Sequence, residues 1–128
     1  YKRQNQVTIP SLDVKASIAF YNTLGLHLIV EALPHYARFE CPSGDATFSI
    51  HQTETITKEE GVVVYFEQDN LDDHVNELLL KGIVFDEMPE DKSWLWREAR
   101  LKDPDGNKLI IYNAGENRKN PPWRITEK

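Results

Sequence analysis

From Gln6 to Ile9 apolar and polar residues alternate, Val7 and Ile9 on one side, Gln6 and Thr8 on the other. Alternation with period two predicts a strand with one covered face. Pro10 lacks a backbone donor and is expected to stop it. The period then lengthens. Val14, Ile18 and Tyr21 recur at helical spacing, and Ala19 and Phe20 widen the stripe, which predicts a helix reaching about Thr23. Asp13 stands where a side chain can accept from the first free amides of that helix. Gly25 stands where a left-handed residue ends one. Three strands follow, Leu26–Glu31, Tyr36–Glu40 and Ala46–Gln52, separated by Pro34 and by a Pro42-Ser43-Gly44-Asp45 turn.

The second half has the same order. Val62–Glu67 reads as a strand, and Asn70 or Asp69 can cap a helix with apolar positions Leu71, Val75, Leu78 and Leu79. Gly82 ends it, Ile83–Asp86 starts the next strand, and Leu95–Leu101 gives another. Asp103-Pro104-Asp105-Gly106-Asn107 is a strong turn signal, and Lys108–Asn113 closes the set. A shift of 57 positions lays Val7 on Val64, Asp13 on Asn70, Ile18 on Val75, Tyr21 on Leu78 and Gly25 on Gly82. One ungapped offset brings cap, core positions and stop into coincidence, so the chain reads as an internal duplication. The polar stretch Gln52–Glu60 is the expected linker.

Strand parity assigns faces. If Val7, Ile9, Val64 and Phe66 pack on the helices, then Gln6, Thr8, Val63, Tyr65 and Glu67 point the other way. In the last strand of each half Ser49 shares a face with His51, and Ile110 with Tyr112. Trp96, Glu98 and Arg100 share one face of Leu95–Leu101; Leu95, Arg97 and Ala99 share the other. A face mixing polar and aromatic groups suits a ligand cleft. Trp96 can form a wall of such a cleft, with Arg100 or Arg97 meeting an anionic group. The alternative is that these charges pair across the sheet with Glu40 or Arg38.

Composition narrows the function. The chain has 128 residues, 40% hydrophobic and 28% charged, enough for one domain-sized core. Fifteen Lys and Arg against 21 Asp and Glu leave a net charge of −6, which argues against nucleic acid or an anionic membrane as the partner. One cysteine, Cys41, forbids an intrachain disulfide and fits a reducing cytoplasm. Its position before Pro42 suits a strand-end thiol better than a nucleophile. No apolar run approaches membrane-spanning length and the first residues lack a signal-peptide core, so a cytoplasmic location is expected. Among the histidines His51 is the candidate acid, base or ligand. His35 falls in a loop, and His27 and His74 are expected to be solvated. No Ser-His-Asp or Cys-His set has supporting context.

Two segments resemble a known family. Ser17-Ile18-Ala19-Phe20-Tyr21-Asn22-Thr23-Leu24-Gly25-Leu26 is similar to the FY-x-x-x-LG helix end of the glyoxalase/bleomycin-resistance/extradiol-dioxygenase superfamily, slightly shortened. Asp103-Pro104-Asp105-Gly106-Asn107 resembles the DPDGN hairpin before that family's final strand. The resemblance implies one α+β domain over residues 1–128. It would contain βαβββ units at 5–52 and 61–114, a curved eight-stranded mixed sheet around a cleft, and a tail at 115–128. Metal-dependent members place His, Gln or Glu on the first and last strand of each unit. Carried over, those positions fall on Gln6, on Ser49 or His51, on Val63 and on Ile110. Val63 and Ile110 are aliphatic and cannot coordinate a cation, leaving Gln6 and His51 as the metal candidates unless Glu67 or Glu98 substitutes.

Two functions follow from the resemblance. One is a small-molecule-binding protein without a complete metal site, its ligand lined by Gln6, Thr8, Val63, Tyr65, Glu67, Trp96, Arg100, Ile110 and Tyr112. The other is a metal-dependent lyase, isomerase or dioxygenase acting on a small oxygenated substrate, with a divalent ion as cofactor and His51 and Glu98 as catalytic groups. The family also implies a homodimer. The tail, with Pro121-Pro122 forcing an extended backbone and Trp123 and Ile125 to bury, would dock on its own chain or reach a second copy.

Overall fold

The structure, a computed structural model, describes residues 4–56 and 61–125. The order is β1 (Gln6–Ser11), α1 (Val14–Leu24), β2 (His27–Ala32), β3 (Tyr36–Glu40), β4 (Thr47–Gln52), β5 (Val64–Glu67), α2 (Leu71–Leu80), β6 (Phe85–Asp91), β7 (Arg97–Lys102) and β8 (Lys108–Asn113), then a 3-10 turn at Gly115–Arg118. This is β-α-β-β-β twice. Hydrogen bonding gives two four-stranded mixed sheets, β1-β4-β3-β2 and β5-β8-β7-β6, one for each of the two βαβββ units expected. In each, first and last strands run parallel and the other pairs antiparallel. The chain forms two compact units. Asp103–Asn107, the turn between β7 and β8, belongs by its packing to the first.

The two helices end as their sequences predict and begin differently. Asp13 Oδ1 accepts from the Ala16 amide at 3.2 Å, while Asn70 makes no side-chain cap bond and α2 has Asp72 and Asp73 in its first turn instead, where carboxylates complement the helix dipole. Gly25 has φ +117 and donates to the Tyr21 and Asn22 carbonyls. Val14, Ile18, Tyr21 and Leu24 are buried in α1, and Leu71, Val75 and Leu78 in α2. Tyr21 packs on Phe39 and Phe48, with ring centroids 5.8 and 4.8 Å away. The Asp103–Asn107 turn completes this core. Tyr21 donates to Asp103 Oδ2 at 2.7 Å, Ser17 to Asp105 Oδ2 at 2.9 Å, the Leu12 amide to Asp105 Oδ1 at 2.7 Å, and Asn107 to the Pro10 carbonyl at 2.9 Å.

Several boundaries differ from expectation. Pro10 lies inside β1, and Pro89 inside β6. Both are edge strands, where a missing donor can face away from the ladder. β5 starts at Val64, β6 at Phe85 and β7 at Arg97. Trp94 and Leu95 fall in a tight turn, closed by the Lys92 amide on the Trp96 carbonyl at 2.8 Å, in which Leu95 has φ +68. His74 is half-buried rather than solvated, and burial lowers its pKa. Trp123 and Ile125 stay 57% and 84% exposed, so packing of these two on their own chain is not realised. Thr57–Glu60 of the linker and the last three tail residues lie outside the described residues. No helix among those described is long and apolar enough to cross a membrane.

Candidate functional site: the two sheet faces away from the helices

In the second unit, register places Val63, Tyr65 and Glu67 on the same side as Ile110 and Tyr112, with Glu98 and Arg100 beside them on β7. Arg97, of opposite parity, reaches Asp72 of α2, so the Tyr65 side is the one α2 leaves uncovered. Three rings gather there. Trp96 stacks on Tyr112 at 4.6 Å and 16°, and Tyr65 stands edge-on to both at 5.8 and 5.7 Å. Val63 and Trp96 pack against a cluster of Ile110, Tyr112 and Ala114. Trp96 Nε1 donates to the Asn117 carbonyl at 3.1 Å, which fixes the indole from its polar end. Burial, reinforced by the Glu67 charge, raises the Tyr112 phenol, with Arg118 opposing. A groove of about 640 Å³ adjoins this cluster, lined by Leu95, Trp96, Ala114 and Asn117 among others.

The charges of β7 are spoken for within the second unit. Glu98 is fully buried, accepting from Trp94 Nε1 at 2.7 Å and from Arg100 Nη2 at 3.3 Å. Arg100 also approaches Glu87 at 3.6 Å. Arg97 bonds Asp72 through two nitrogens and Asp91 through a third. The partners are therefore Glu87, Glu98, Asp72 and Asp91, not Glu40 or Arg38, and neither arginine is left to meet an outside anion unshared. A carboxylate that is dry and has both oxygens engaged anchors the strand.

In the first unit the face away from α1 is polar. Ser49 is fully buried there: Gln6 Nε2 donates to its hydroxyl at 2.7 Å and Thr8 lies 2.6 Å from it. Thr47 donates to Gln6 Oε1. Tyr36, on the same face, accepts from Arg38 Nε at 2.9 Å. A hydroxyl has one proton and two lone pairs. Gln6 donates to that of Ser49, and either Thr8 or Ser49 can be the donor between them. Burial would push the Tyr36 phenol up, but the bonds from Ser49 and Arg38 and the Arg38 charge outweigh it and hold the phenol below its ordinary range.

His51 is exposed, in register with Tyr36 and with Pro10. Gln6 pairs with Thr47, four residues away along β4, which is about 13 Å at strand rise. Gln6 and His51 thus share a face without converging, and the Gln6 carboxamide is already bound at both ends. Among the described residues no three of His, Cys, Asp and Glu come together as metal ligands. Tyr36 and Arg38 were missed by the sequence reading. The signal is present in the sequence: Tyr36, Arg38 and Glu40 alternate with Ala37 and Phe39, which puts the three polar side chains on one face of β3. Cys41, half-buried, has its thiol pushed up by burial, which opposes a nucleophilic role.

A family model described as the glyoxalase/bleomycin resistance protein/dioxygenase superfamily matches residues 3–111. The chain belongs to this superfamily. No curated protein matches it in sequence. Solved structures agree on the fold. A glyoxalase/bleomycin resistance protein/dioxygenase from Nocardioides is 22% identical with a TM-score of 0.73, covering 98% of this chain and 92% of that one. A bleomycin-binding protein in complex with bleomycin is 20% identical at 0.71, covering 90% and 100%. Lactoylglutathione lyase from Agrobacterium tumefaciens is 16% identical at 0.72, covering 88% and 94%. The superfamily thus spans binders and enzymes on one scaffold, and at these identities the likeness bears on fold alone.

Proposed function

We propose that this superfamily member binds a small molecule carrying a flat ring system on the aromatic face of its second sheet, without the complete metal-ligand set of the metal-dependent branches. The observation that carries this reading is the Trp96–Tyr112 stack with Tyr65 edge-on. Ring faces of this kind bind planar groups by stacking and exclude water around them. The apolar neighbours Val63 and Ile110 stand where metal-dependent relatives carry ligands, and aliphatic carbons extend the ring platform while offering nothing to a cation.

Bleomycin, the molecule held by one structural relative, is a suitable first probe. Titration should quench tryptophan emission saturably, and Trp96→Ala should weaken binding at least about tenfold, the effect of losing one aromatic contact of about 1.4 kcal/mol. Unchanged affinity in a folded Trp96→Ala variant would remove the aromatic face from the site. The second reading, a metal-dependent lyase, isomerase or dioxygenase, draws on His51, exposed beside Tyr36. Metal analysis of protein purified without chelator separates the two: one divalent ion per chain, lost in His51→Ala, refutes the metal-free reading.

A further inference from the structure

Three arginines are carried by the sheets, and they differ in one respect. Arg97 and Arg100 each lie within 4 Å of two carboxylates. Arg38, on β3, has no carboxylate among the described residues at ion-pair distance. Glu40, the nearest acidic residue on its own strand and face, is turned to His27 at 3.9 Å. Across the sheet, Arg38 is in register with Val30 and Ser49, neither of which is charged.

Arg38 is nevertheless held. Its Nε donates to the Tyr36 hydroxyl at 2.9 Å, and its guanidinium carbon sits 5.5 Å from the Tyr36 ring centroid, within cation–π range. On the same face, next to Arg38 across the sheet, Ser49 is held by Gln6 and Thr8. One edge of the guanidinium is thus used to set its orientation. The Nη1–Nη2 edge is left, and that fork matches the two oxygens of a carboxylate or phosphate. A long side chain ordinarily loses rotamer freedom on binding, and less is lost when the free protein already restrains it.

We propose that Arg38, oriented by Tyr36 on the face of the first sheet away from α1, is an anion-recognition site that takes a carboxylate or phosphate group of a small molecule. The charged and titratable groups on its face are Tyr36 and Glu40 on β3, His51 on β4 and His27 on β2, which is in register with Glu40; the β2 positions Val30 and Ala32 carry no charge. The site lies in the first unit and does not depend on the aromatic face of the second.

Inorganic phosphate and acetate are the probes, each titrated by calorimetry against sodium chloride at matched ionic strength. Saturable binding of either probe beyond the chloride control is expected, and Arg38→Gln should weaken it about tenfold, the scale of one charge-assisted hydrogen bond. Phosphate binding alone assigns the site to phosphoryl groups, and acetate binding to carboxylates. Arg100→Gln should leave both isotherms unchanged. A second readout needs no affinity measurement: bound anion should raise the midpoint of the Tyr36 absorbance titration in wild-type protein, and Tyr36→Phe identifies the signal. Heat indistinguishable from chloride, or equal binding in folded Arg38→Gln, overturns the proposal.

Discussion

Asp103 shows how a single residue can carry much of a core. Its Oδ2 accepts from Tyr21 and Asn107, and its Oδ1 from the Asp105 and Asn107 amides. Four donors satisfy a carboxylate that is only 5% exposed. Tyr21→Phe removes one of them without changing ring packing. The lost charge-assisted bond should cost about 1–3 kcal/mol, read as a lower urea midpoint at unchanged m-value. An unchanged midpoint would mean that the other three donors suffice. The sequence displayed Asp103 as a turn residue and Tyr21 as a helix-face aromatic, but a bond between positions so far apart leaves no local trace. Glu98 makes the same point in reverse. Parity placed it correctly beside Trp96 and Arg100, and only the coordinates reveal that Trp94 and Arg100 close over it.

At the scale of elements, the duplication was legible because each copy repeats the same physical devices in the same order. The helices, the strand faces and both turn glycines follow from period and from φ requirements that few residues meet. Where prediction slipped, a local rule met a tertiary exception. Pro10 predicts a stop because proline interrupts ladders, yet an edge strand accommodates it. Leu95 and Trp96 are expected to open the strand Leu95–Leu101, yet Leu95 lies in a turn with φ +68 and β7 begins at Arg97. The two caps offer a controlled comparison. Asp13→Ala should cost about 1 kcal/mol, since its side chain bonds the Ala16 amide. Asn70→Ala, with no such bond to lose, should cost at most about a few tenths. Equal losses in thermal unfolding would show that the cap position matters here through backbone conformation.

For the whole molecule, the shifted phenols predict a loss of stability at alkaline pH. Tyr21 is held far above the ordinary phenol value of 10.0, first by burial, then by the charge of Asp103, the bond to it and the charge of Asp105. It stays neutral in the folded chain while the unfolded chain ionises near 10. Its contribution is therefore complete below that pH and is lost as pH rises above it, at about 1.4 kcal/mol per pH unit. Tyr112 is shifted in the same direction. Tyr36 is shifted oppositely, so its ionisation favours the folded state just below the ordinary value. Unfolding free energy should fall from about pH 10 upward, and more gently in Tyr21→Phe. An identical slope in that variant would assign the alkaline loss to other groups. A homodimer, expected from kinship, is a separate matter for light scattering at several concentrations.

The Asp103–Asn107 turn has one more implication, which concerns how the chain can be divided. A fragment ending in the linker would contain every strand and the helix of the first unit, yet Tyr21, Ser17, the Leu12 amide and the Pro10 carbonyl would each lack the partner the turn supplies. The linker between the repeats is therefore a natural seam in the sequence and a poor place to cut. Excision of the first half should yield an unfolded peptide, and a separately added strand–turn–strand segment from the second half should restore it.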